Sequence, residues 1–529
     1  MLRSLMLCLL LLGPVTAQAA DAANEAKEAI VALAGQNFDD IRHGVEALGV
    51  SGSLRATAIL GALQDSRLVL GANQQLFIKL PDGSYEAATT GEPAADPGAV
   101  RAVRVNNSIR RSVDAALGAL RLSNPDATIR ATAAEAVFKS RDPAGIPALT
   151  RAIATEKDAG VKRTMEQARA VAMFAAGNAP EPDRLAAVAT LRDRGDIDAR
   201  AVLSTLTDQP PAVVEAAAAA VKSIDTSLQL WSLLQSAYYG LSLGSVLLLA
   251  ATGLAITFGV MGVINMAHGE MVMIGAYVTF VVQTVIRNHA PGLFGASLFF
   301  AVPLAFLVAG AIGIAIERSL IRWLYGRPLE TLLATWGLSL VLQQAVRSIF
   351  GPTNQEVSTP AWMSGAMPLG GLSLTYNRLT IIVFAVLVLG TLMAVLRYTS
   401  LGLRMRAVTQ NRRMAAAMGI RTPWIDALTF GLGSGVAGMA GVALSQIDNV
   451  SPNLGQGYII DSFMVVVFGG VGNLWGTAVG ALTLGILNKF LEPVAGAVLA
   501  KIVVLIALIL FIQRKPRGMF PLKGRAVES

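Results

Sequence analysis

The chain has 529 residues, 53% of them apolar and only 15% charged, with a formal net charge of +8 and a positive mean hydropathy. This composition excludes an ordinary soluble enzyme and fits a polytopic membrane protein. The basic residues are scattered in short segments between apolar spans instead of gathering in one patch, so they read as topology signals and exclude a nucleic-acid surface.

In chain order, the first element is a leader. Arg3 supplies a minimal positive region, Leu5 to Leu12 an apolar core and Ala17-Gln18-Ala19 a small-residue cleavage site, so residues 1–19 read as a signal peptide. The eight apolar residues fall far below the ~20 needed to span a bilayer. The single cysteine, Cys8, lies inside this leader, and a mature chain without it has no disulfide or thiol chemistry.

Residues 20–228 are Ala-rich and well charged and have no apolar run long enough to span, which predicts an exported soluble domain. Pro125-Asp126-Ala-Thr-Ile129-Arg130 recurs as Lys157-Asp158-Ala-Gly-Val161-Lys162, and each copy opens a helical pattern, as in a short solenoid similar to HEAT repeats. Between them and the N-terminus, Gln75 to Leu80, the turn Pro81-Asp82-Gly83 and Ser84-Tyr85-Glu86 predict a small hairpin, followed by a Gly/Pro-rich loop through Pro97. His43 has no partner at ligand spacing, and no metal site is expected.

Residues 229–514 form the expected transmembrane domain, and 515–529 a cytoplasmic tail. The overall expectation is an all-α chain with eight or nine membrane segments: 237–259, 270–286, 295–316, 331–350, 379–396, 425–445, 459–470, 474–490 and 494–513. Arginine-rich loops at 317–330 (Arg318, Arg322, Arg327) and 397–424, with the basic tail, fall on the cytoplasmic side by the positive-inside rule. The loops 351–378 and 446–458 fall outside. An outside N-terminal domain and an inside C-terminus need an odd number of crossings, so the short 459–470 segment is expected as half of a helix broken in the membrane interior, at Gly469-Gly-Val-Gly-Asn-Leu-Trp-Gly476.

No charged residue occurs from Thr226 to Gly269, yet Gly259-Val-Met-Gly262-Val-Ile-Asn265-Met-Ala-His268-Gly-Glu270 interrupts this apolar sequence. In hydrocarbon every backbone N–H and C=O needs a partner, so a glycine-broken polar passage marks a broken helix lining a cavity. Gly262-Val-Ile-Asn265 and Gly470-Val-Gly-Asn473 echo one another, and paired interruptions point to a transport site. Asn265, His268, Glu270, Asn473 and Trp475 are therefore the candidate path residues. Gly431, Ser434, Gly435, Gly438 and Gly441 read instead as close helix packing.

No Gly-x-x-x-x-Gly-Lys-Ser/Thr loop occurs, so the chain itself has no sequence basis for binding ATP and no cofactor is expected. Residues Leu401 to Ile420 are basic and amphipathic with a glycine stop, the pattern of a short helix that docks on a partner or lies on anionic lipid.

The segments Gly262 to Tyr277, Met414 to Ile420, Ser445 to Gln456 and Gly469 to Thr477 resemble the high-affinity branched-chain amino acid permease family of ABC importers. The likeness covers about residues 230–520. Within that family the wording of Asp448 to Asn453 and Gly472 to Gly476, and the extra N-terminal domain, resemble the first permease subunit of urea transporters. The resemblance implies a non-enzymatic permease subunit in a bacterial inner membrane. Its implied partners are a second permease, two cytoplasmic ATPases that bind the ATP, and a periplasmic binding protein that delivers a small neutral solute, urea. It also implies an ATPase-coupling loop carrying Arg404, Arg406, Arg412, Arg413, Ala416 and Gly419, with Ala415-Ala416-Ala417 where the common form is Glu-Ala-Ala. A branched-chain amino acid permease is the alternative; a membrane sensor lacks an output module, and a passive urea channel would not need the basic loop.

Overall fold

The computed structural model describes residues 27–520 apart from Gln36, Gly52, Leu54 and Ala72, so the expected leader 1–19 and the end of the basic tail lie outside the described residues. The chain folds as two compact units, one up to Leu228 and one from Gln229.

The first unit is largely helical, and several of its helices begin where a short polar side chain caps them. The repeated Asp-Ala pair supplies two such caps: Asp126 accepts from the Thr128 amide at 2.8 Å and Asp158 from the Gly160 and Val161 amides at 2.8 and 3.1 Å. These open helices Ala127–Ser140 and Ala159–Ala176. Phe138, Leu149, Met165, Val171, Leu191, Leu203 and Val213 form their shared core. Arg194, at the end of helix Glu181–Arg194, ties three helices together: it donates to Glu135 and Gln167 and stacks 3.8 Å from the Phe138 ring centroid.

An all-α expectation misses the sheet in this unit. The hairpin is the centre of five antiparallel strands, β1 Leu68–Leu70, β2 Leu76–Lys79, β3 Tyr85–Ala87, β4 Pro93–Ala94 and β5 Arg101–Ala102, in the order β4-β3-β2-β1-β5. An isolated hairpin is marginal in water; here Leu68, Leu76 and Ile78 alternate inward onto Ile59, Leu63, Ile109 and Val113.

In the second unit, the part of helix Pro211–Met261 from Gln229 onward and helices His268–His289, Ser297–Ser319, Pro328–Phe350, Tyr376–Tyr398, Thr422–Leu444, Leu454–Gly469 and Leu474–Arg514 carry the expected spans. The last is two helices joined at Gly496, whose φ of +77° and ψ of 159° are not helical, just after Pro493. Among the described residues six helices are long and apolar enough to cross a membrane. Pro328–Phe350 is as long as several of these but carries a polar stripe, and Leu454–Gly469 has 16 residues, ~24 Å.

The loops sort to two ends of this unit. At one, Gln235 and Tyr238 bond the backbone of Ser373 and Thr375 in the ribbon β6 Ala366–Leu369 and β7 Leu372–Thr375, Gln355 bridges Val450, and Gln283 bonds Ser358. At the other, the arginine-rich segments 317–330 and 412–426 meet, and the Met519 and Phe520 amides donate to Phe468 and Gly469.

The seventh span differs from expectation. The helix begins at Leu454, five residues earlier, and the Gly470–Asn473 turn lies at the end of the bundle beside Gly518–Phe520, not in its interior. The reason is that Gly469 and Gly476 let the two helices meet backbone to backbone, where a Cβ on Gly469 would lie 2.2 Å from the Gly476 carbonyl oxygen.

Candidate functional site

Helix Pro211–Met261 ends at Gly262, whose φ is +69°. Residues 262–267 then run back into the bundle without helical structure, and the next helix starts at His268 beside Ala250, eleven residues or ~16 Å up the preceding helix. Three polar residues of this return are buried: Asn265, His268 and Glu270 are 2%, 1% and 1% exposed.

Each has a definite local role. The Asn265 side chain accepts from the Ala267 amide at 3.0 Å and shapes the turn. His268 Nε2 meets the Ala250 carbonyl at 2.9 Å, which fixes Nε2–H as the donor and leaves Nδ1 without a hydrogen-bond partner. Glu270 Oε1 accepts from Ser339 Oγ and Gln343 Nε2, both at 2.8 Å, while Oε2 has no partner.

Sequence reasoning missed the other half of this site. Thr331, Thr335, Ser339 and Gln343 recur every fourth residue, so on helix Pro328–Phe350 they form one buried polar stripe. Thr335 Oγ1 accepts from the Met266 amide at 3.1 Å, satisfying a donor freed by the broken helix. One turn further, Arg347 reaches the Asn453 side chain. The spacing was visible in the sequence, in a span otherwise read only for length.

Glycine fixes the opposite side of the site. An alanine at Gly275 would place its Cβ 1.9 Å from the Gly438 carbonyl oxygen, and one at Gly441 2.0 Å from that of Val272. Helix Thr422–Leu444 packs equally closely on Ser297–Ser319 through Gly313 and Ser434.

Asn473 and Trp475 lie apart from this site, at the turn that carries the tail. Asn473 Oδ1 caps the following helix by accepting from the Trp475 and Gly476 amides at 3.1 and 3.2 Å, and its Nδ2 donates to the Phe520 carbonyl at 3.1 Å. Trp475 is 65% exposed. Gly472 touches Gly259, so the two glycine turns are neighbours even though only the first enters the bundle.

The basic segment folds as two short helices, Ser400–Gln410 and Arg412–Ala417. Thr399 and Asn411 cap them, and Gly419, at φ +82°, ends the second. Its arginines divide. Arg406 and Arg412 are exposed but bonded, Arg406 to the Leu396 carbonyl and Arg412 to the buried Asp426, whereas Arg404, Arg413 and Ala416 face outward beside exposed Leu403, Met414 and Met418. Among the described residues no group of three or more His, Cys, Asp or Glu could hold a metal ion.

A bundle of apolar helices with one chain segment returning into it on buried polar residues defines a multi-pass membrane transport subunit. The chain belongs to the family described as branched-chain amino acid transport system, permease component, which matches residues 236–512. It is similar to the high-affinity branched-chain amino acid transport system permease protein BraD of Pseudomonas aeruginosa, 31% identical over 298 residues, 55% of this chain and 96% of that protein. It is equally similar to LivH of Escherichia coli K12, 31% identical over 295 residues, 54% of this chain and 94% of that protein. A probable LivH of Methanocaldococcus jannaschii is 27% identical over 292 residues, 52% of this chain and 88% of its own length. These relatives are transport permeases, not enzymes. No solved structure matches the chain.

Proposed function

We propose that this chain is one permease subunit of an ATP-driven ABC importer for urea. It forms the translocation path with a second permease, and two cytoplasmic ATPases bind the ATP and drive it through the loop 397–424. A periplasmic binding protein delivers the solute, and the unit up to Leu228 is an exported, helical-repeat domain on the receiving side of a bacterial inner membrane, with the C-terminus cytoplasmic. The observation that carries the permease reading is the return of residues 262–267 into the bundle, with Asn265 and His268 buried along it and with Glu270 and the Met266 amide bonded to the Thr335–Ser339–Gln343 stripe. Urea is small, neutral and doubly amide-like, and a path for it needs alternating donors and acceptors without a fixed ionic clamp. The likeness of Asp448 to Asn453 and Gly472 to Gly476 to urea permeases, and the added N-terminal unit, support the same choice.

A branched-chain amino acid is the second reading, favoured by what the printed names of the matched relatives say they transport. ATPase stimulation in proteoliposomes, with the neighbouring permease, the ATPases and the binding protein, separates the two. Stimulation by urea and not leucine is expected. Stimulation by leucine alone would overturn urea, and none with either would overturn the importer.

A further inference from the structure

Two buried carboxylates lie outside the polar site around Glu270. Glu317, near the end of helix Ser297–Ser319, and Asp426, near the start of Thr422–Leu444, are 1% and 0% exposed. Arg412 and Tyr325 link the two. Arg412 forms an ion pair with Asp426 and sets its guanidinium carbon 4.9 Å from the Tyr325 ring centroid, and the Tyr325 hydroxyl donates to Glu317 Oε1 at 3.0 Å. Alongside, the Arg318 guanidinium lies 4.4 Å from the Trp424 ring centroid. Burial first, then the nearby carboxylates, raise the Tyr325 hydroxyl above its ordinary pKa, so it remains a protonated donor.

Arg412 is the first residue of the short helix Arg412–Ala417. Arg412 itself is 42% exposed but Asp426 is fully buried, so drawing the arginine away would leave a buried carboxylate uncompensated, which is unfavourable. The short helix therefore cannot shift without carrying the ends of helices Ser297–Ser319 and Thr422–Leu444. The latter is in backbone contact, through Gly438 and Gly441, with the helix that bears His268 and Glu270. We propose that Arg412, Asp426, Tyr325 and Glu317 form a latch that makes the Arg412–Ala417 helix one rigid piece with the central helices. Asp426 and Tyr325 are its positioning residues, setting how much solute moves per ATP hydrolysed. This rests on the reading of 397–424 as the ATPase contact.

The test uses the assembled transporter in proteoliposomes, measuring uptake and ATP hydrolysis together with co-purification of the ATPases. The solute is urea, or leucine if that drives hydrolysis with the unaltered chain. Asp426→Asn and Tyr325→Phe should assemble and retain basal hydrolysis, while solute moved per ATP falls about five- to tenfold, the lower range of measured coupling effects. Exchanging the pair, Arg412→Asp with Asp426→Arg, should recover part of the loss. Tyr325→Phe removes one hydroxyl only and decides the matter if Asp426→Asn fails to assemble. An unchanged ratio in Tyr325→Phe, or equal loss of uptake and hydrolysis, would overturn the latch. Absence of solute-stimulated hydrolysis in the unaltered transporter would instead sink the importer reading, and the latch with it.

Discussion

Gly275→Ala probes the seam on which the buried polar site is mounted. The added Cβ would lie 1.9 Å from the Gly438 carbonyl oxygen and 2.6 and 2.7 Å from its carbonyl carbon and Cα, all backbone atoms that no rotamer change can move. Restoring even a 3.0 Å contact requires the two helices to separate locally by about 1 Å, and overpacking of that kind typically costs about 1–3 kcal/mol. Neighbouring Gly441 is held 2.0 Å from the Val272 carbonyl oxygen on the same measure, so tilting the helix to relieve one contact loads the other. The control is Gly337→Ala on helix Pro328–Phe350, where nothing lies within 4 Å of the new methyl. There alanine should be neutral or stabilising by up to ~1 kcal/mol, from its better helix propensity. Both variants would be purified in detergent and their thermal inactivation compared with the unaltered chain. Gly275→Ala should inactivate at clearly lower temperature, and Gly337→Ala at the same or higher. Equal behaviour of the two would refute the seam.

Three further outcomes are expected. Glu270→Ala leaves Ser339 Oγ and Gln343 Nε2 without their carboxylate acceptor and should destabilise the bundle by about 1–3 kcal/mol; Glu270→Gln keeps an acceptor oxygen there and should lose much less in the same detergent assay. In the first unit the Arg130 guanidinium, bonded at 2.6 and 2.8 Å, is the main cause that lowers the Glu156 carboxyl to a pKa of about 2. Because the folded value is depressed from 4.5, its stabilisation is complete above the unfolded pKa and is lost as pH falls from about 4.5 towards 2; scanning calorimetry should show Glu156→Gln less stable at neutral pH, with the gap closing across that window. Asn473→Ala removes a helix cap at a cost of about 0.5–2 kcal/mol and loosens the tail by removing the Asn473–Phe520 bond while the Met519 and Phe520 amide bonds remain. Trypsin should then cut faster after Arg517 while the uptake KM stays unchanged, and a raised KM with an intact tail would support Asn473 as a path residue.

The helices of the second unit were legible because long apolar runs and glycine or polar breaks are local signals, and the observed ends fall within a few residues of the expected ones for most spans. The start of helix Leu454–Gly469 was not, since Leu454-Gly-Gln-Gly-Tyr458 is polar enough to read as loop and becomes helix only by packing Gly455 against Gly269. The sheet of the first unit was half hidden for a similar reason: β4 and β5 are two residues long and gain strand geometry only from their neighbours. For the site, Asn265, His268 and Glu270 announced themselves as polar residues in apolar sequence, but their partners did not. Thr331, Thr335, Ser339 and Gln343 look unremarkable until a helical frame brings them to one face. The echo between Gly262–Asn265 and Gly470–Asn473 shows the limit most directly. The same residue types break the helix at both places, yet after the first break the chain climbs beside Ala250, while at the second it is held at the bundle end by Met519 and Phe520. Residue type determines that a helix must stop; the depth of the stop is set by distant segments that supply the freed backbone groups with partners.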